Sequence, residues 1–215
     1  GHSNCKTDEQ KMSYLQSEII RKTKIEELSD MSYIDYLELH DGGHSTSVDE
    51  SHTSYVFAIK PEKFEETIVQ FSRLFQSLSF TIEDIKERSK ETFDVLSKFF
   101  QKKNPELLHV LQDKAIRSHP FYNYMRINEE FVKNATVESV SAFFNKYYFA
   151  NNMTLFVTSD KSTDEIKEII TECFGSIPHG PIENSFIGEP IFKEGALGKI
   201  FHVKSTCNFP YISIN

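Results

Sequence analysis

The residues of this chain that could do metal or acid–base chemistry are its histidines and the carboxylates of one long polar helix. Three histidines lie close together, at His40, His44 and His52. On a helix, the spacing of four between His40 and His44 would place both imidazoles on one face, where they could share a metal. The glycine pair between them breaks such a helix, and His52 falls on a neighbouring strand from which it could approach either one. We therefore interpret these histidines as structural rather than metal-binding.

The carboxylates of interest lie on a predicted helix over residues 82–102, which carries Asp84 and Glu91 seven residues apart. Seven residues are close to two helical turns, so both side chains point the same way. Together with Glu87 they are equally consistent with a solvated face on a helix rich in charge. A single carboxylate does not hold zinc, so the spacing alone predicts no metal site.

The elements that would position these residues follow from breakers, caps and periodicity. Gly42-Gly43 ends one helix, and Thr81, Thr136 and Ser162 are each placed to cap another. The resulting order of long helices between few strands predicts an α+β fold, with a mainly antiparallel sheet covered by helices on one face. The predicted helices span residues 12–28, 31–40, 61–78, 82–102, 105–117, 137–148 and 162–175; the predicted strands span 44–49, 53–59, 152–158, 199–204 and 210–214.

Composition narrows the class of protein. The chain of 215 residues has a formal net charge of −8, which argues against nucleic acid because phosphate binding needs a basic face. No apolar run approaches the roughly 20 residues needed to span a bilayer. The three cysteines, Cys5, Cys173 and Cys207, are odd in number and widely spaced, which favours a reducing compartment over a disulfide framework.

Four segments together resemble one family of enzymes. The run His40–His44 (HDGGH) with the following strands, the triplet His119-Pro120-Phe121, residues 144–155 (FNKYYFANNMTL) and residues 197–200 (LGKI) occur in this order. They are similar in sequence and spacing to segments of the insulinase (pitrilysin/insulysin) family of zinc metallopeptidases. The resemblance spans residues 30–215 and implies peptide hydrolysis as the activity of the family.

The resemblance also implies a domain organisation. Residues 1–10 are expected to be a tag and a disordered segment. Residues 11–190 are expected to form the family's N-terminal domain without its opening strands. Residues 191–215 would then be a linker and the first strands of the following domain. The expected partners are a peptide or the remaining domains of a parent protein.

The zinc motif of the family is the feature that this chain lacks. Relatives carry His-x-x-Glu-His on the helix before the glycine pair, and counting back places it near residues 14–19, where there is no histidine. By the same comparison Glu18 is a weak candidate for the general base. Glu91 matches the ligand glutamate of the next long helix, and Asp84 matches its second-shell carboxylate. We expect no cofactor in this chain, although zinc is the cofactor of the family.

One functional element of the family does not require the metal. In active relatives the strand after the glycine pair is an exposed edge that pairs with the substrate backbone, and such pairing needs backbone groups rather than particular side chains. Here that strand corresponds to a run of five residues, with an ordinary sheet edge as the alternative interpretation. The predicted substrate-binding residues are His44, Ser45, Thr46, Ser47 and Val48.

These observations lead to one functional hypothesis and two alternatives. The first is an insulinase-like domain that is catalytically inactive because the zinc-binding histidines are missing. The second is an active zinc metalloendopeptidase in the full-length protein, with ligands supplied elsewhere. The third is a structural subunit that resembles the core proteins of respiratory complexes.

Overall fold

The computed structural model describes residues 11–25, 28, 31–49, 52–76, 80–102, 105–117, 119, 134–181 and 190–204. Its helices and strands are numbered here in chain order. None of the helices in this described part is long and apolar enough to cross a membrane. The helices are α1 (Met12–Lys22), α2 (Tyr33–Leu39), α3 (Phe64–Arg73), α4 (Ile82–Lys102), α5 (Pro105–Lys114), α6 (Val137–Tyr147) and α7 (Thr163–Phe174), and the strands are β1 (Lys24–Ile25), β2 (Met31–Ser32), β3 (Gly43–Val48) and β4 (Thr53–Ala58).

The predicted helix caps are confirmed. Thr81 accepts a hydrogen bond from the Asp84 backbone N–H, and the Asp84 carboxylate accepts one from the Thr81 backbone N–H, so together they close a capping box at α4. Ser162 and Glu165 close the same kind of box at α7. These side chains satisfy N–H groups that have no partner within the helix, which fixes where each helix begins.

The larger of two core clusters packs the β3–β4 hairpin against α2 and α3. Its buried members include Tyr33, Leu37, Phe64, Ile68 and Phe71. The ring of Phe57 on β4 lies 5.0 Å from that of Phe71 on α3, and Tyr55 lies 5.4 Å from Phe75. Tyr33 on α2 completes the group at 5.7 Å from Phe71. Aromatic pairs at such separations contribute about 0.5–1.5 kcal/mol each beyond the burial of their area. Because one face of the hairpin is buried in this way, a one-residue slip would expose these rings, and the register is fixed.

A second core cluster packs α1 beside α4 and α6. The buried residues of α4 recur at spacings of three and four, as expected for a helix with one face turned inward. This packing places the C-terminal end of α1 next to α4, where the charged side chains of the two helices meet. The buried members of the cluster are Met12, Leu15, Ile19, Ile85, Ala135, Val140 and Phe143.

The mixture of helices and small sheets is confirmed, and the ladders are antiparallel. β1 pairs with β2, and β3 pairs with β4 in a register that joins Gly43 to Ala58 and Val48 to Thr53. Among the described residues these form two separate two-stranded sheets rather than one larger sheet. The arrangement of a single sheet covered on one face therefore remains a prediction.

Two predicted strands are wrong within the described residues. The predicted strands 152–158 and 199–204 form no ladder there, although apolar residues recur in both segments, and Phe156 is 89% exposed. A strand is defined by its hydrogen-bonded neighbour, and apolar, β-prone sequence cannot supply one by itself. The predicted strand 210–214 lies outside the described residues.

Two predicted helices are shorter than expected because backbone pairing competes with them. The first ends at Lys22 rather than at residue 28, since Lys24 and Ile25 pair with β2. The predicted helix 105–117 ends at Lys114, since Ala115 forms a β-bridge with Phe192. In both places a contact distant in sequence overrides helical periodicity.

We expect Leu37→Ala to lower the free energy of unfolding by about 2–5 kcal/mol, because this side chain of α2 is completely buried in the larger core. The matched control is Leu39→Ala, which removes the same atoms from the same helix where the side chain is 65% exposed. It should change stability by less than about 0.5 kcal/mol. Chemical denaturation measures both, and equal losses would contradict this description of the core.

Candidate functional site

The candidate site lies between α1 and α4, where the resemblance places a metal. Glu91, the predicted ligand glutamate, extends from the middle of α4 and is 40% exposed. Its Oε2 accepts a hydrogen bond from the Lys22 ammonium at 3.0 Å and another from the Arg88 guanidinium at 2.7 Å. The carboxylate that matches the ligand glutamate of the family is thus paired with two cations of the chain itself.

The electrostatics of Glu91 follow from these contacts. Partial burial raises the pKa of this carboxyl group, but the hydrogen bonds and charges of Arg88 and Lys22 outweigh it, so the net pKa is below the ordinary 4.5. The carboxylate is therefore ionised at neutral pH.

Asp84, predicted as a second-shell carboxylate, makes its hydrogen bonds elsewhere. Its Oδ2 accepts from the Thr81 backbone N–H at 2.7 Å and from the Thr81 hydroxyl at 2.8 Å. The backbone hydrogen bond from Thr81 is the main reason that the pKa of Asp84 is lowered. These bonds tie Asp84 to the start of α4, two turns before Glu91.

Glu18, the weak general-base candidate, is paired with Arg21 one turn later on α1. The same region of α4 contributes a further pair, in which Arg88 lies 3.4 Å from Glu87. Lys22 and Arg88 with Glu87 and Glu91 form a connected network of two cations and two carboxylates, which we call the α1–α4 ion network. This network has no net formal charge.

The histidines do not assemble a metal site in the part of the chain that the structure describes. The His40 ring meets the Tyr36 ring edge to face, with centroids 4.7 Å apart. The Nε2 atom of His44 lies 4.0 Å from Glu38, and that of His52 lies 2.9 Å from Asp49. Across these described ranges no group of three or more histidine, cysteine, aspartate or glutamate side chains is arranged to hold a metal ion. The donor set therefore does not fit a zinc ion.

The predicted substrate-binding strand is β3, and its pairing shows which backbone groups face outward. The Asp49 backbone N–H donates to the His52 carbonyl at 3.0 Å, and the His52 N–H donates to the Asp49 carboxylate at 2.8 Å, so the backbone N–H of Asp49 points toward the β4 side at the end of the ladder. Hydrogen-bonded and non-hydrogen-bonded pairs alternate in an antiparallel ladder. The backbone N–H and C=O groups of His44, Thr46 and Val48 consequently point away from β4, and the Val48 carbonyl accepts a bond from the Tyr14 hydroxyl at 3.4 Å.

A cleft lies beside this outer edge of β3. Its volume is about 480 Å³, enough for a peptide side chain and part of its backbone. His44 belongs both to β3 and to the wall of the cleft, so the strand and the cleft meet at this residue. The other lining residues come from α1, β1, α2 with its cap, and α4: Arg21, Lys22, Lys24, Ser32, Ile34, Asp35, Glu38 and Arg88.

Sequence reasoning missed the two cations of the α1–α4 ion network, Lys22 and Arg88. The Arg88–Glu91 pair has the helical spacing of three and could have been read from the sequence. The Lys22–Glu91 pair joins residues 69 positions apart, and no local pattern predicts it. Only the packing of α1 on α4 brings it together.

Comparison with known proteins first defines the class of fold. A crystal structure of pitrilysin superposes with a TM-score of 0.67 over 84% of this chain, which covers 20% of that chain, at 16% sequence identity. The fold of this chain is therefore similar to that of part of pitrilysin. A family model described as "Peptidase M16 inactive domain" matches residues 134–214.

Sequence comparison then gives the proteins to which this chain is similar. A nardilysin-like protein of Arabidopsis thaliana is 26% identical over 183 residues, covering 80% of this chain and 18% of that protein. A putative zinc protease of Caenorhabditis elegans is 23% identical over 180 residues, covering 79% of this chain and 20% of that protein. This chain is a relative of the insulinase (pitrilysin/insulysin) family, as predicted, and it spans about one-fifth of the length of the relatives it matches.

We expect Glu91→Gln to lower the free energy of unfolding at pH 7 by no more than about 1 kcal/mol, since partly exposed ion pairs contribute little. The folded pKa of Glu91 is below the ordinary 4.5, so its contribution is fully present above that value and is lost as the pH falls through the folded pKa.

Denaturant titrations of the wild type and the variant at a series of pH values measure this difference. It should shrink toward zero in acid. A difference that grows as the pH falls would contradict the ion-pair description of Glu91.

Proposed function

We propose that this chain is a non-catalytic domain of an insulinase-family protein that holds an extended peptide along the outer edge of β3. The observation that carries the proposal is the alternation of the β3 ladder, which directs backbone groups of His44 and Thr46 away from β4, and His44 also lines the cleft. A peptide in extended conformation can add to such an edge through main-chain hydrogen bonds. The ligand class is therefore a peptide, recognised chiefly through its backbone.

The chemistry of the site supports the absence of catalysis. Hydrolysis of a peptide at neutral pH by this class of mechanism needs a water whose pKa falls from about 16 toward 7, which a bound zinc supplies. Glu18 and Glu91 are the carboxylates nearest to that role, and both are engaged by cations of the chain. Neither imidazole ligand of the family motif is present at residues 14–19.

The two alternative functions make different demands on the parent protein. An active zinc metalloendopeptidase would need a complete ligand set outside these 215 residues, and a structural subunit would need a stable heteromeric partner. The division of the chain at residues 190 and 191 remains a prediction, as does a single antiparallel sheet covered on one face. The curated relatives are much longer than this chain, and the remaining domains of a parent protein are accordingly proposed partners.

We expect Thr46→Pro to weaken peptide binding about 5- to 10-fold. The substitution removes one outward N–H, worth about 1 kcal/mol, and places a ring in the path of the peptide. Proline is tolerated where an edge strand turns its N–H away from the neighbouring strand, so the hairpin should still fold. Fluorescence anisotropy with fluorescein-labelled insulin B chain as the probe measures the dissociation constant.

The matched control for this experiment is Thr53→Pro on β4. By the same alternation the Thr53 N–H points away from β3, so this variant places proline on the opposite edge of the same hairpin. It should bind the probe as the wild type does. Equal losses in both variants would show that the edge of β3 is not the binding surface.

We expect no peptidase activity from this chain on peptides of the size of insulin or smaller, because no group of the site can activate a water molecule. Turnover is measured with fluorogenic peptides in the presence and absence of a chelator. Activity that a chelator abolishes, and that is absent from the Asp84→Ala/Glu91→Ala double variant, would overturn the non-catalytic proposal. Chelator-resistant turnover would instead identify a contaminating peptidase.

A further inference from the structure

The contact between Lys22 and Glu91 is a second feature of the candidate site, besides the missing histidines. Glu18 and Lys22 are four residues apart on α1, so their side chains leave the same face of the helix one turn apart. Lys22 reaches Glu91 of α4 at 3.0 Å, so this face of α1 is the one turned toward Glu91. Residues 18 and 22 thus lie one turn apart on α1, and residue 91 approaches this face from the neighbouring helix α4.

We propose that the Lys22 ammonium, together with the Arg88 guanidinium, takes the place of a metal cation at Glu91 and keeps divalent metals out of the site. An ammonium group has three donors and no acceptor, so Lys22 cannot serve as a ligand while it is charged. It does supply the positive charge that the carboxylate needs. The inference does not depend on whether β3 holds a peptide.

The charge balance of the α1–α4 ion network is the main support for this substitution. Its two cations, Lys22 and Arg88, and its two carboxylates, Glu87 and Glu91, already cancel. A divalent cation at Glu91 would lie within a few ångströms of Lys22 and Arg88 and would be repelled by both. For a metal to bind, the chain would have to give up the Lys22 and Arg88 hydrogen bonds, with no imidazole to replace them.

Restricted exposure makes these cations a fixed part of the site. The Arg88 side chain is only 17% exposed, and it bonds both to Glu87 and to Glu91. Lys22 belongs to the wall of the same cleft as Arg88. The Lys22–Glu91 bond also ties α1 to α4, so it reproduces the cross-link between two helices that a shared metal would make.

The proposal predicts that removing the built-in cation and adding imidazoles creates a metal site. The test variant is Glu18→His/Lys22→His, which keeps Glu91 and places two histidines one turn apart. The matched control is Glu168→His/Glu172→His, which builds the same spacing on the exposed face of α7 in place of two other charged residues. Titration with Co²⁺, followed by its visible absorption, measures affinity and geometry without any assay of activity.

We expect the test variant to bind one Co²⁺ at least about 10-fold more tightly than the α7 control, with the strong absorption of tetrahedral coordination. Adding Glu91→Gln should remove that advantage, and the wild type should bind no more tightly than the α7 control. The proposal is overturned if the wild type binds Co²⁺ as the test variant does. It is equally overturned if the folded test variant binds no better than the control.

A second measurement covers the case in which circular dichroism shows that the test variant is unfolded. Thermal unfolding of Lys22→Met, Glu91→Gln and the double variant forms a double-mutant cycle on the native pair. The melting temperature of the double variant should be higher than the sum of the two single shifts predicts, because each single change leaves one charge without its partner. Additive shifts would show that Lys22 and Glu91 are not coupled and would refute the proposal.

Discussion

The packing of α1 on α4 is the constraint on which the rest of the site depends. Buried residues at helical spacing hold the two helices together, and the charged residues of both helices meet at their margin. Lys22 and Glu91 are far apart in sequence and become neighbours only through this apolar contact. The hydrophobic core therefore determines which charges meet, and the charges determine what the site can bind.

The apolar contacts and the ion pairs differ in how much they stabilise the fold and in what they do. Burying the aliphatic and aromatic side chains of the two clusters provides most of the stability, at about 1.5–3 kcal/mol for each large side chain. The partly exposed ion pairs add at most about 1 kcal/mol each. Their importance lies in selectivity, since a carboxylate with two cations beside it is a poor partner for a divalent metal. A family site can lose its metal in this way with little effect on the fold.

Much of the local structure could be predicted from the sequence, because caps and glycines act over a few residues. Thr81 with Asp84 and Ser162 with Glu165 mark helix starts directly, and the alternation around Tyr55 and Phe57 marks β4. Features that rest on distant partners were missed. Residues 152–158 have the composition of a strand, yet a ladder needs a second strand, and the Lys22–Glu91 pair needs two helices in contact.

The measurement that tests this account most directly is the zinc content of the purified chain. After expression in zinc-supplemented medium and dialysis against buffer without metal, inductively coupled plasma mass spectrometry gives the ratio of zinc to protein. Because Lys22 and Arg88 both donate hydrogen bonds to the Glu91 carboxylate, the account predicts a ratio of zinc to protein far below one. A ratio near one that falls in Glu91→Gln would show that Glu91 binds zinc after all and would contradict the account.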